Sequence, residues 1–143
     1  MGDSVHKMST PSPEHTLLVI GSDPANMQLM TQLIARRDDL NLLTADNGQD
    51  GLNLAETSLP GVVVLDTSLS DLRASEVLKG LRRNPHTSHI PVIAVSADAC
   101  AAHVQAGLQA GFARYLTKPY KLTDLLEAID CSLRDSQRTV GAC

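Results

Sequence analysis

Three residues of this sequence, Asp66, Ser96 and Lys118, could together handle a phosphoryl group. Each of them comes directly after a short apolar segment of the chain. An aspartate carboxylate can act as the nucleophile toward phosphorus, and a hydroxyl and an ammonium can donate hydrogen bonds to phosphoryl oxygens. Any one of these residues by itself is better explained as a strand-end cap or a solvated charge. Their combination predicts phosphoryl chemistry if the fold brings them to one place.

The order of the apolar segments predicts that the three residues do come together. Short apolar runs alternate with segments of helical periodicity five times between residues 17 and 133. This alternation favours an α/β fold in which a parallel sheet carries helices on both faces. Functional groups of such sheets gather beyond the carboxyl ends of the strands, which is where the three residues fall. The predicted strands are 17–20, 40–44, 62–65, 91–95 and 113–117.

The two ends of the chain differ from the middle in composition. Residues 1–15 contain serine, threonine and proline without an apolar period, which predicts a flexible N-terminal arm. Residues 16–134 are expected to form one domain, and residues 135–143 are expected to form a frayed C-terminal tail. A length of 143 residues is enough for one domain with a substantial core.

Composition and charge argue against several classes of function. The net charge of −4, the absence of any run of lysine or arginine and the absence of tryptophan argue against nucleic-acid binding. Apolar runs of four or five residues are too short to cross a membrane, and no signal peptide is recognisable, so the expected location is the cytoplasm. The three widely spaced cysteines are expected to be reduced thiols, and the five histidines show no metal-ligand spacing.

Three motifs in this sequence resemble those of the receiver domains of two-component response regulators. They are Val62-Val-Val-Leu-Asp66, Pro91-Val-Ile-Ala-Val-Ser96-Ala97 and Tyr115-Leu-Thr-Lys118-Pro119, and the resemblance covers residues 17–133. Three matching motifs, in the family's order and on successive predicted strands, are a specific signal. The resemblance implies a doubly wound (βα)5 fold of the flavodoxin-like type, whose five parallel strands have the order 2-1-3-4-5.

The resemblance also implies a role for each matching residue. Asp66 is similar to the aspartate that accepts a phosphoryl group from a histidine kinase or a phosphotransfer protein. Ser96 and Tyr115 resemble the hydroxyl and the aromatic side chain that switch together, and Lys118 resembles the ammonium that pairs with the phosphoacceptor. The peptide bond before Pro119 is similar to one that is cis in the family.

A protein of this family acts as a regulator and not as a classical enzyme. The resemblance implies at most self-catalysed phosphoryl transfer and autodephosphorylation. It also implies that phosphorylation switches a face that binds a downstream output protein or domain. The sequence leaves open whether the chain forms a homodimer.

The sequence departs from the family at the magnesium site. Receivers usually carry two acidic residues after the first strand, where this chain has Gly21 and Ser22. Asp23 is acidic but lies one position too late, and the proline that follows marks it as a helix cap. The candidate metal ligands are Asp66, the backbone carbonyl near Ser68 and, despite its capping position, Asp23. We expect Mg²⁺ to bind weakly or not at all until a phosphoryl group supplies further oxygen ligands.

Two alternative functions stay open at this point. The lost acidic pair favours a pseudo-receiver, in which the same fold serves as a protein-interaction module without phosphorylation, whereas the retained Asp66, Ser96 and Lys118 favour phosphoacceptance. A nucleotide-binding enzyme of the same architecture would need a glycine-rich phosphate loop. The chain has neither G-x-G-x-x-G after the first predicted strand nor G-x-x-x-x-G-K-[ST], which argues against that class.

Overall fold

The computed structural model describes the backbone of residues 15–137 and the side chains of residues 15–134. Five strands alternate with five helices in this part of the chain. The strands are β1 (His15–Ile20), β2 (Leu40–Ala45), β3 (Val62–Asp66), β4 (Val92–Ser96) and β5 (Arg114–Thr117). The helices are α1 (Pro24–Ile34), α2 (Gly48–Ser58), α3 (Ala74–Arg83), α4 (Ala101–Ala110) and α5 (Leu122–Gln137).

The five described strands are parallel and form one sheet in the order β2-β1-β3-β4-β5. This topology confirms the predicted doubly wound α/β fold and its strand order. The register places Asp66 beside Val95, and Ser96 beside Thr117. The carboxyl ends of β3, β4 and β5 therefore lie at the same edge of the sheet, and Lys118, which directly follows β5, joins Asp66 and Ser96 there.

The sheet lies between two apolar layers, which explains why its central strands are continuous apolar runs in the sequence. Every residue of β3 and of β4 is buried. One layer packs α1 and α5 against the sheet, through residues that include Met30 and Leu125. The other layer packs α2 and α3 against the opposite face, through residues that include Ala55 and Val77. This double coverage makes the sheet a rigid support for side chains at its carboxyl edge.

Helix α1 begins, and helix α4 ends, at the residues that the sequence indicates. Asp23 Oδ1 accepts a hydrogen bond from the N–H of Ala25 at 3.2 Å, and Pro24 is the first residue of α1. Gly111 ends α4 with a φ of 123°, a conformation that glycine adopts without the steric cost of a side chain. The carboxylate of Asp23 therefore serves the backbone at the start of α1.

The secondary structure reaches slightly beyond the predicted ends of the domain. Strand β1 includes His15, and α5 continues to Gln137, one turn past the last apolar residue of its periodic face. Most of the predicted arm and tail, residues 1–14 and 138–143, lies outside the described residues. Within the described part, every helix is too short or too polar to cross a bilayer.

The cysteines differ in part from the expectation. Cys100 is a free and exposed thiol, as expected. Cys131 is disulfide-bonded, so the expectation of reduced thiols is wrong at that residue. The reason is that cysteine pairing depends on distances in the folded chain, and spacing along the sequence does not give those distances.

Leu59, which ends α2, has a positive φ that leucine rarely adopts. Its φ of 48° and ψ of 62° lie in the left-handed region, and the residue is 51% exposed. This conformation costs a residue with a β-carbon about 1 kcal/mol, whereas glycine adopts it readily.

We expect Leu59→Gly to exceed Leu59→Ala in free energy of unfolding by about 1 kcal/mol, measured by urea denaturation. Alanine is the matched control because it removes the leucine side chain beyond the β-carbon and keeps the backbone strain. Equal free energies of unfolding for Leu59→Gly and Leu59→Ala would contradict this account.

Candidate functional site

The centre of the site is the carboxylate of Asp66, which ends β3 and is 1% exposed. Its Oδ1 accepts hydrogen bonds from the N–H of Ser68 at 3.0 Å and from the Ser68 hydroxyl at 2.7 Å. Its Oδ2 accepts from Lys118 Nζ and from Asn26 Nδ2, each at 2.9 Å. Both carboxylate oxygens are thus occupied by donors of the protein.

These donors keep Asp66 ionised although it is buried. Burial by itself would raise the pKa of the Asp66 carboxyl, because a charged group loses solvation inside a protein. Hydrogen bonds from the Ser68 N–H, from Lys118 and from the Ser68 hydroxyl outweigh this penalty and lower the pKa below its ordinary value. At neutral pH the residue is a carboxylate, which is the form that can act as a nucleophile.

The backbone at the edge of the sheet fixes the positions of Lys118 and Ser96 relative to Asp66. The N–H of Lys118 donates to the carbonyl of Ser96 at 2.7 Å, which continues the β4–β5 pairing by one residue. The N–H of Thr67 donates to the carbonyl of Val95 at 2.9 Å and continues the β3–β4 pairing in the same way. The Lys118–Pro119 peptide bond is cis. The three residues identified from the sequence therefore share one rigid edge.

Two further residues of the site, Asn26 and Tyr120, were missed by the sequence analysis. Asn26 lies in the first turn of α1 and donates to Asp66, while its Oδ1 accepts a hydrogen bond from the Tyr120 hydroxyl at 3.2 Å. Burial raises the pKa of the Tyr120 phenol, and the negative charge of Asp66 raises it further. A signal was present in the sequence, because Asn26 follows the predicted cap Asp23 by only three residues at the predicted functional edge.

The switch residues implied by the resemblance have well-defined surroundings. Ser96 is 4% exposed, and its hydroxyl oxygen accepts a hydrogen bond from the N–H of Asp98 at 3.0 Å. Tyr115 is half-buried and packs edge-on against Phe112, with ring centroids 6.3 Å apart and planes at 85°. Coupling between Ser96 and Tyr115 stays a prediction.

The residues around Asp66 do not fit a magnesium ion in the unphosphorylated protein. Gly21 and Ser22 offer no carboxylate, and the Ser22 hydroxyl donates to the carbonyl of Asp46 at 3.0 Å. Asp23 is exposed and caps α1. A divalent cation needs free oxygen ligands. Asp66 Oδ2 already accepts hydrogen bonds from the Lys118 ammonium and the Asn26 amide. Among the side chains of residues 15–134, the one grouping of three or more His, Cys, Asp or Glu ligands lies elsewhere, in the loop after β4.

Comparison with known proteins gives consistent matches. The family model of the response regulator receiver domain matches residues 17–130. The polar-differentiation response regulator DivK of Brucella anthropi is 29% identical over 85% of this chain and 98% of its own length. Protein PilH of Pseudomonas aeruginosa is 31% identical over 82% of this chain and 96% of its own length.

A solved structure and a larger relative extend the comparison. The receiver domain of the sensor histidine kinase PA1611 from Pseudomonas aeruginosa, described with a magnesium ion coordinated in its active site cleft, has a TM-score of 0.76. It is 21% identical in sequence, and the match covers 84% of this chain and 98% of the receiver domain's own chain. A histidine kinase, P4 of Formosa agariphila, is 25% identical over 95% of this chain, but the chain spans only 10% of that protein's length. The match of the family model over most of the chain means that the protein belongs to the response regulator receiver domain family, the regulatory domains of two-component signalling.

Proposed function

We propose that this chain is a phosphoaccepting receiver, in which Asp66 takes a phosphoryl group from a histidine kinase or a phosphotransfer protein. The observation that supports this most directly is the buried, ionised carboxylate of Asp66 with the ammonium of Lys118 at 2.9 Å. A nucleophile and a cation are thereby held together at the edge of a rigid sheet. Such preorganised charge is what a phosphoryl group needs from its binding site.

The proposed transfer is a single displacement at phosphorus. An oxygen of Asp66 forms a bond to phosphorus while the P–N bond to the donor imidazole breaks. The electron pair of that bond stays on the imidazole nitrogen, which takes up a proton from water. Lys118 and Asn26, which now donate to Asp66 Oδ2, are placed to donate to the phosphoryl oxygens instead. In autodephosphorylation, water attacks the same phosphorus, the P–O bond to Asp66 breaks, inorganic phosphate leaves, and Asp66 returns to the carboxylate.

The output of this receiver is proposed to be a change at the surface formed by β5 and α4. Ser96 must give up the hydrogen bond from Asp98 before its hydroxyl can turn toward a phosphoryl group on Asp66. Tyr115 lies on β5, beside Ala94 of the neighbouring strand β4, and could follow this movement. The partners would be an output protein or domain, or a second copy of the chain. We place this signalling in the cytoplasm as part of the same proposal.

The pseudo-receiver is a second candidate because of one specific feature of Asp66. Four donors of the protein fill both oxygens of the carboxylate. A carboxylate that is already satisfied gains less from a phosphoryl donor, and the site lacks the acidic pair that would bring Mg²⁺. In this alternative the surface of β5 and α4 binds its partner whether or not Asp66 is modified.

Intact-mass measurement after incubation with a small-molecule phosphodonor and Mg²⁺ separates the two functions. We expect the unmodified chain to gain the mass of one phosphoryl group, and Asp66→Asn to gain none, because the amide keeps the shape but is not a nucleophile. Asp71→Asn, at an exposed carboxylate that binds the backbone at the start of α2, is the matched control and should still gain one group. Equal labelling of the Asp66→Asn variant would contradict the assignment, and no labelling of the unmodified chain would favour the pseudo-receiver.

A further inference from the structure

Three metal-ligating side chains of different chemistry converge outside the phosphoacceptor site. They are Asp98, Cys100 and His103, which lie in the loop after β4 and in the first turn of α4. One carboxylate oxygen, the thiol sulfur and a ring nitrogen all lie within 4.8 Å of one another. All three residues are exposed, so an ion could reach them from solvent. Within the described side chains, no other such grouping of three is found.

Hydrogen bonds already hold two of these ligands, Asp98 and His103, in place. Asp98 Oδ1 accepts a hydrogen bond from the N–H of Cys100 at 3.0 Å, which fixes the loop ahead of the helix. Asp98 Oδ2 is hydrogen-bonded to His103 Nδ1. Cys100 occupies the N-cap position of α4, and His103 lies three residues later, on the same side of the first turn. Little rearrangement is needed to bring the three ligand atoms to one ion.

We propose that Asp98, Cys100 and His103 bind a zinc ion. A thiolate, an imidazole and a carboxylate together favour Zn²⁺ over Mg²⁺ and Ca²⁺, which prefer oxygen ligands alone. Three protein ligands leave the fourth tetrahedral position to water or to a group from a partner. On binding, the Cys100 thiol releases its proton to solvent, and the metal replaces the hydrogen bond between His103 and Asp98.

Zinc bound at Asp98 is expected to affect the phosphorylation of Asp66. The N–H of Asp98 donates to the hydroxyl oxygen of Ser96, which is the residue that must turn toward a phosphoryl group. A zinc ion on the Asp98 carboxylate would stiffen the loop that holds Ser96 in its present orientation. Zinc is therefore expected to slow phosphorylation of Asp66, a consequence that rests on the proposed function, whereas the zinc binding itself does not.

Competition with a chromogenic zinc chelator, on the full chain under reducing conditions, tests the site. We expect one zinc per chain by native mass spectrometry, and an affinity that falls at least about tenfold in both Cys100→Ser and His103→Ala. His89→Ala, which removes an exposed histidine from a different loop, is the control and should bind as the unmodified chain does. Co²⁺ should give the absorption of a thiolate complex in the unmodified chain and not in Cys100→Ser. Absence of binding, or binding that is unchanged in the Cys100 and His103 variants, would overturn the proposal.

The effect on phosphorylation is measured separately from binding. Zinc should slow the gain of phosphoryl mass by the unmodified chain at least about twofold and leave the rate of Cys100→Ser unchanged. A rate in the unmodified chain that zinc does not change would overturn the coupling to Ser96. If the chain gains no phosphoryl group under any condition, the proposed function fails, and the binding experiment still decides whether the zinc site exists.

Discussion

Replacing Lys118 with methionine is expected to lower the free energy of unfolding by about 2–4 kcal/mol at pH 7. Removing one partner of a buried ion pair leaves the other charge without compensation, and this typically costs a few kcal/mol. Asp66 is 1% exposed, while Lys118 Nζ is its cationic partner at 2.9 Å. The donors Ser68 and Asn26 remain in the variant, so the loss should not exceed that range.

The pH dependence of this loss follows from the pKa of Asp66. That pKa is lowered in the folded protein, so the stabilisation by ionised Asp66 is present above the unfolded pKa of about 3.9 and is lost as the pH falls through the lower folded value. Without Lys118 the folded pKa rises. The stability difference between the unmodified chain and Lys118→Met should therefore be full at neutral pH and shrink as the solution becomes acidic enough to protonate Asp66 in both.

Urea denaturation at several pH values, in a double-mutant cycle with Asp66→Asn, gives the measurement. In the Asp66→Asn background the change Lys118→Met should cost far less, because no buried charge remains to be paired. Lys121→Met is the matched control, since this nearby lysine is exposed. A cost of Lys118→Met that is equal in both backgrounds would show that packing of the lysine chain, and not its charge, stabilises the site.

The second large effect is expected at the missing acidic pair. The unmodified chain should show no detectable Mg²⁺ binding at low millimolar concentration, and Gly21→Glu combined with Ser22→Asp should lower the Kd at least about tenfold. A unit charge pair 4 Å apart contributes roughly 4 kcal/mol at an effective dielectric near 20, and a divalent ion doubles this, although desolvation takes back most of it. The double variant should also be phosphorylated faster at Asp66.

The structure shows what the glutamate at position 21 must displace. A β-carbon there would lie 2.8 Å from Met27 Sδ and 3.1 Å from Asp66 Cβ. The flexible methionine side chain can turn into the open pocket that borders Gly21, Ser22 and Met27, whereas Asp66 must give by a few tenths of an ångström. Calorimetry or an NMR titration measures the binding, and the neutral pair Gly21→Gln with Ser22→Asn controls for size. Tight Mg²⁺ binding by the unmodified chain would mean that Asp23 reaches the site despite its capping position.

The fold was predictable because short apolar runs and segments of helical periodicity in the sequence indicate its strands and helices. The strands β1, β3 and β4 are buried on both faces, so each appears as a short unbroken apolar run between helical segments. Once the strands are parallel and ordered, residues that follow them must share an edge. That rule places Asp66 and Lys118 at the same edge, where Lys118 Nζ lies 2.9 Å from Asp66 Oδ2.

The hydrogen-bond network around Asp66 was not predictable in the same way. Asn26 and Tyr120 are 94 residues apart in the sequence, and their contact depends on how α1 and the segment after β5 pack together. The grouping of Asp98, Cys100 and His103 was missed for a related reason. Their spacing matches no common metal motif, and only the turn that begins α4 brings their side chains together.

The hydrogen bond between Tyr120 and Asn26 also makes Tyr120 an intrinsic spectroscopic probe of the site. The chain has no tryptophan and only two tyrosines, so two phenols dominate its near-ultraviolet absorption and its emission. One of them, Tyr120, is hydrogen-bonded to Asn26, which donates to Asp66; burial raises the pKa of Tyr120, and the charge of Asp66 raises it further. We therefore expect the tyrosinate absorbance on alkaline titration to respond, without any label, to a change of charge at position 66.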